Sequence, residues 1–179
     1  MTSSNPERDA DLAALQVGNL RQACEYGLQQ CQQLLVRLSA ADYVASRADA
    51  ASIGAHVRHI LERFQSFLAG LPDGCVDYDA RNRELSLEES PRSAEFALAT
   101  ILRRMGALQV DSRPLRVRES VLPDAPAGEA ESTLARELLA LVSHTTHHLA
   151  MIAMLARPLG YDLDASFGKA ASTIIHERS

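Results

Sequence analysis

The sequence predicts an all-α protein, a four-helix bundle with long crossover connections, on three observations. Four stretches carry apolar residues at three- and four-residue steps, the spacing that lines one face of a helix. Residues that start or stop helices bracket three of the four. Long polar segments separate the second stretch from the third and the third from the fourth. Amphipathic helices of this kind bury their stripes against one another.

The first helix is predicted from Ala10 to Leu38, with Leu12, Leu15, Leu20, Cys24, Leu28, Cys31, Leu34, Leu35 and Leu38 as its stripe. The second runs from Ile53 to Ala69, with Ser52 as cap and Gly70–Leu71–Pro72 as stop. Ser90–Pro91 opens the third, because proline in the first turn loses no hydrogen bond there. It continues through Phe96, Leu98, Ile101, Leu102, Met105 and Leu108. The fourth starts at Ser132 or Thr133 and reaches Leu155, ahead of Arg157–Pro158 and Gly160. In the last crossover, Leu115, Val117 and Val121 alternate with polar residues as in a strand, and PDAPAGEAES reads as a turn-rich loop. The crossover PDGCVDYDARNRELSLEES is acidic, and the tail after Gly160 shows no period. The whole chain, 1–179, reads as one domain, with the bundle at about 10–157 and a tail at 158–179.

Composition narrows the function. Hydrophobic residues make up 46% and the net charge is −5, which disfavours a nucleic-acid or acidic-membrane binder. Arg113, Arg116 and Arg118 form a local basic patch without interleaved aromatics. The opening MTSSNPERDADLAAL lacks the basic and apolar regions of a signal peptide, and no apolar stretch is expected to reach the ~20 residues of a membrane span. Cys24, Cys31 and Cys75 are odd in number and lack CxxC spacing, so they read as reduced thiols in a cytoplasmic protein. Cys24 and Cys31 share a helix face and read as small apolar fillers.

The histidines point to chemistry. The segment LVSHTTHHLAMI places His144, His147 and His148 within five positions. Successive helical residues turn by about 100°, so His144 and His148 lie about 40° apart, at the edge and inside of the apolar stripe. An i, i+4 pair lets two imidazoles share one ion. His147 points toward solvent. A catalytic metal site normally takes three protein ligands, and SIGAHVRHILERF supplies His56 and His59 as candidates for the third. Periodicity mildly prefers His56 and leaves the choice open. His176, near the terminus, reads as a surface residue. There is no HExxH, GxSxG, P-loop or GxGxxG.

The two segments SIGAHVRHI (52–60) and HTTHH (144–148) resemble the DinB/YfiT-like family of bacterial metalloproteins. In that family a four-helix bundle holds one divalent metal between a histidine of helix two and an HxxxH pair of the last helix. The resemblance covers most of the chain. It implies His144 and His148 as ligands and favours His59 as the third, with His56 as a supporting residue or the alternative ligand. Glu62 and Glu137 are candidates to accept the other N–H of a ligating imidazole. A homodimer is implied as well, for which Leu35, Leu98 or Leu102 would supply apolar edges.

The resemblance implies a metal-dependent thiol S-transferase-like enzyme. Its ion would be zinc, nickel or iron, and it would act on a low-molecular-weight thiol and an electrophilic small molecule. A metal-dependent hydrolase and a non-catalytic metal-binding stress-response protein are the alternatives. No catalytic residue follows from the sequence, and neither nucleic acid nor membrane is expected as a partner.

Overall fold

Side-chain caps set where the helices of this protein begin. Ser52 Oγ accepts from the Ala55 N–H at 3.0 Å, Ser90 Oγ from Ser93 at 3.2 Å, and Thr133 Oγ1 from Arg136 at 3.2 Å. Each such cap stabilises its helix by about 1 kcal/mol. The computed structural model describes residues 6–46, 51–109, 111 and 113–179, with side-chain surroundings from residue 15 onward. The expected burial of Leu12 and the first five residues of the segment read as lacking a signal peptide lie outside that description.

The elements, in chain order, are α1 (Pro6–Leu35), α2 (Ala40–Val44), α3 (Ile53–Gly70), β1 (Cys75–Asp77), α4 (Leu85–Glu89), α5 (Pro91–Gly106), β2 (Pro114–Glu119), β3 (Gly128–Thr133), α6 (Leu134–Ala156) and α7 (Ala171–Glu177). A 3-10 turn at Arg157–Leu159 ends α6. The protein is mostly helical, in rough agreement with the all-α expectation, and adds one small three-stranded sheet.

Four long helices carry the core. α1 packs on α5 and α6, and α3 packs on the same two. The buried stripes are Val17, Cys24, Leu28, Cys31 and Leu35 on α1, Ile53, Val57, Ile60, Phe64 and Phe67 on α3, and Leu134, Leu138, Leu141, Thr145 and Ile152 on α6. On α5 the stripe is Ala94, Leu98, Ile101 and Met105. Phe96, expected in it, is 78% exposed, and Leu15 on α1 is 61% exposed. Each sits two residues from a buried position, Leu98 or Val17, and two residues rotate a helix by about 200°. The first helix also ends three residues earlier than predicted, at Leu35.

Gly54 lets two backbones meet at the start of α3. A Cβ there would stand 2.1 Å from the Glu88 carbonyl oxygen of α4. The Tyr43 hydroxyl donates to the Leu87 carbonyl beside it.

The crossovers contain β2 where Leu115 and Val117 alternate, and also β1, β3 and α4, which the sequence did not announce. β1 pairs in parallel with β2, and β2 pairs antiparallel with β3, in the order β1-β2-β3. Val76 and Leu115 turn into the core. Val121, read as strand-like, lies beyond β2 and is exposed. The end of the predicted turn-rich loop forms β3, which runs directly into α6 at Thr133. The acidic crossover contains β1 and α4.

The tail docks on α1. Gly168, with φ +67°, donates its N–H to the Gln30 side-chain oxygen, and Phe167 is buried. Its Cα faces the α6 backbone so closely that a Cβ would meet Ala150 N at 2.6 Å.

Two further expectations change. Leu35 and Leu98, named as edges for a partner, are 2% and 0% exposed, and Leu102 is partly buried. The exposed apolar side chains include Leu139, Met151 and Met154 on the outer face of α6. The segment Leu134–Leu159 is long and apolar enough to cross a membrane by length and composition, against the expectation that no stretch would be. In this fold it packs along α1 and α3. Within the basic patch, Arg113 pairs with Asp111, and Arg118 lies 3.7 Å from Asp77.

Candidate metal centre

Two neighbouring helices present the histidines. Ser52 fixes the start of α3, and His56 and His59 follow one turn apart on its first turns. Thr133 fixes the start of α6, whose stripe places His144 and His148 on one side. The ring contacts His56–His148 and His59–His144 show that α3 and α6 run antiparallel here.

His59, His144 and His148 come together. Their ring centroids are 4.5–4.8 Å apart, and one nitrogen from each lies within 4.8 Å of the others. The three can hold a metal ion. Ligand nitrogens bind zinc at about 2.0–2.1 Å, so a modest inward turn of the rings brings them into range. An orphaned atom fits the same reading: His144 Nδ1 is buried and has no hydrogen-bond partner. A buried polar nitrogen without a partner is costly, and an ion supplies one where His144 ligates through Nδ1.

His56 stands beside this group. Its Nδ1 lies 3.1 Å from Nδ1 of His148. One of the two nitrogens must carry the proton and donate. If His148 donates, its Nε2 is left with a free lone pair for an ion, the usual arrangement around a ligating imidazole. His147 is exposed, with its ring 5.2 Å from that of His148, and His176 is exposed on α7.

The surroundings keep the imidazoles neutral. Burial first, then the neighbouring His148 and His59, holds His144 down at about 3. Burial, then His59 and His56, holds His148 at about 4. His59 is lowered by burial and by Arg81, Arg63 and Arg58, and His56 by burial and His147. Neutral imidazole is the form that binds metal.

Neither expected carboxylate accepts from a histidine. Glu62 accepts the Glu84 backbone N–H at 2.9 Å, and Glu137 accepts from Tyr78 at 2.8 Å and from Ser132. The Tyr78 ring lies 3.7 Å from the Arg63 guanidinium, which forks onto both oxygens of Glu119.

Compared with known proteins, the chain matches no family model, no curated sequence and no solved structure.

Sequence reasoning missed Arg81. Its Nη1 lies 3.2 Å from His59 Nδ1. The only signal was a pair of arginines, Arg81 and Arg83, in an otherwise acidic crossover. The cysteines contribute no nucleophile from the core: burial raises Cys24 and Cys31 to about 12, which keeps both as neutral thiols. Cavities of 500–640 Å³ lie elsewhere, and none of the four is lined by a histidine of the group. The centre is instead reached from the surface, where His56, His59, His144 and His148 are partly buried.

Proposed function

We propose that the protein is a metal-dependent thiol S-transferase-like enzyme on a DinB/YfiT-like four-helix bundle. The observation that carries this reading is the convergence of His59, His144 and His148, each of which brings one ring nitrogen within 4.8 Å of the others. A zinc, nickel or iron ion bound there supplies Lewis acidity that favours thiolate near neutral pH. His144 and His148 offer lone pairs from one rigid helix face, and His59 does so from the facing helix. His56 fixes the tautomer of His148 through their 3.1 Å contact. In the transfer, the thiol sulfur forms the new bond to the electrophilic carbon. The leaving group departs with its electron pair, and the thiol proton passes to water. Glu62 and Glu137 are committed to other bonds, so neither carboxylate closes the site, and an ion keeps open positions where His56 stays on His148.

The test is spectroscopic. Cobalt-loaded protein is titrated with glutathione, mycothiol and bacillithiol, and thiolate ligation is read from charge-transfer absorption. At least one should bind, more tightly as pH rises toward the thiol's pKa of about 8.5. Response to small anions but to no thiol would move the assignment to a hydrolase. Response to nothing would make the ion structural.

The same reading includes a homodimer in the cytoplasm. The outer face of α6, charge-free from Leu138 to Ala156 and bearing exposed Leu139, Met151 and Met154, takes the place of the buried leucines as its surface. A monomer mass by light scattering at micromolar concentration overturns the dimer.

A further inference from the structure

We propose that this centre takes an anionic ligand, a small thiol bearing a carboxylate, and that Arg81 is the cation that anchors it. The proposal rests on reading the three histidines as a metal centre.

The segment that carries Arg81 is held in place. Asp77 Oδ1 accepts the backbone N–H groups of Asp79 and Ala80 at 2.9 and 3.1 Å. Asp79 Oδ2 in turn accepts the N–H and hydroxyl of Ser120, at 2.8 and 2.7 Å, from the chain just after β2. Beyond Arg81, the Glu84 N–H donates to buried Glu62 at 2.9 Å. Between these anchors Arg83 has φ +47°, a left-handed conformation that a side-chain-bearing residue adopts at a cost. The strain is tolerated because both flanks are bonded down, and the held segment aims Arg81 at His59.

Arg81 lacks a counter-charge among the described residues. Arg58 lies 3.2 Å from Glu88, and Arg63 pairs with Glu119, but among the described residues Arg81 forms no ion pair. Its Nε is buried without a hydrogen-bond partner, as are those of Arg58 and Arg63, so the missing carboxylate is what sets Arg81 apart. Its one side-chain polar contact among the described residues is His59 Nδ1, which must accept because a guanidinium only donates. That contact cannot persist beside an ion. If His59 ligates through Nδ1, the ion replaces Arg81; if it ligates through Nε2, Nδ1 carries the proton and two donors face each other. Loading the centre therefore releases the guanidinium.

A divalent ion, three neutral imidazoles and this guanidinium carry about three positive charges, and partly buried charges call for partners. A thiolate and a carboxylate on one small molecule supply two negative charges at two points. The fork of a guanidinium matches a carboxylate with two parallel hydrogen bonds.

The experiment compares 3-mercaptopropionate with its neutral twin, 3-mercaptopropionamide, on the cobalt-loaded full-length protein. Cobalt stoichiometry is measured first. In the wild type the carboxylate thiol should bind roughly tenfold more tightly, as charge-assisted pairs of this type give. Arg81→Gln should keep its cobalt and bring the ratio to about one, and Arg81→Lys should restore part of it. Cobalt binding with a ratio unchanged in Arg81→Gln overturns the anchor and leaves the metal reading standing. If cobalt does not bind, the metal reading fails, and propionate is titrated onto the metal-free protein while the His59 ring is followed by NMR. A shift in the wild type that vanishes in Arg81→Gln keeps Arg81 as an anion anchor; no shift overturns it.

Discussion

Arg63 and Arg81 both act on His59, yet the chain surrounds them differently. Arg63, one turn further along α3, lies over the Tyr78 ring and grips Glu119, and Tyr78 reaches on to Glu137. That cluster contains its own counter-charges and ties α3, the sheet and α6 together. Arg81 arrives from a bonded-down loop and, among the described residues, its side chain meets a neutral imidazole and no carboxylate. Both clusters are polar and partly buried, and they lie side by side. One is balanced in charge, although Arg63 Nε has no partner; the other has charge left over, as a binding site has before its ligand arrives.

The largest expected effect falls on the open cluster. His148→Ala, His144→Ala or His59→Ala should lose the ion, because each removes one of three imidazoles, while His147→Ala should retain it. Elemental analysis of the purified variants decides this, and full occupancy in His148→Ala would end the metal centre. The closed cluster should respond in stability and not in metal. Glu137→Ala strips buried Tyr78 of its acceptor and should cost about 3 kcal/mol, the scale of hydrogen bonds to a charged group, in urea unfolding. Loss of metal with unchanged stability would reverse the assignment of the two clusters.

His56→Ala should be milder, with metal affinity about 10- to 100-fold weaker, as for other groups that support a ligand. Competition with a chelator measures it, and complete loss would make His56 a ligand in its own right. The smallest effect concerns the metal-free protein. The ordinary histidine value is 6.5, and burial holds His144 near 3 and His148 near 4. The unfolded chain then takes up protons that the folded chain refuses. This contribution is absent well above pH 6.5 and reduces stability progressively as pH falls from 6.5 toward 4 for His148 and toward 3 for His144. Denaturant unfolding in chelator should show a smaller acid loss for His144→Ala than for the wild type.

Much of the helical frame was legible because its signals are local. Ser52, Ser90 and Thr133 announce helix starts through bonds that span three residues, and the HxxxH spacing places two imidazoles together whatever else surrounds them. Which helix-two histidine joins that pair was not local. The apolar stripe of α3 pointed to His56 and the resemblance to His59, and the structure groups His59 with the pair while setting His56 against His148. The sheet was hardest to see. β3 has the sequence GEAEST, mostly exposed and with no apolar alternation, and it is a strand because β2 lies beside it. Arg81 was invisible for a similar reason: its position depends on Asp79 meeting Ser120, 41 residues away.

The junction at Thr133 gives that plain strand an unexpected authority. Thr133 pairs with Pro114 as the last residue of β3 and also caps α6, so no slack separates sheet from helix. The strand register therefore sets the rotational phase of α6, like a keyed shaft. Losing one residue between Gly128 and Thr133 would turn the helix by about 100° and swing His144 and His148 off the face they share with His59. A change of length at 120–127, ahead of the paired strand, would be absorbed before it reached the shaft. The least distinctive segment of the chain is thus the one whose length the histidines can least tolerate changing.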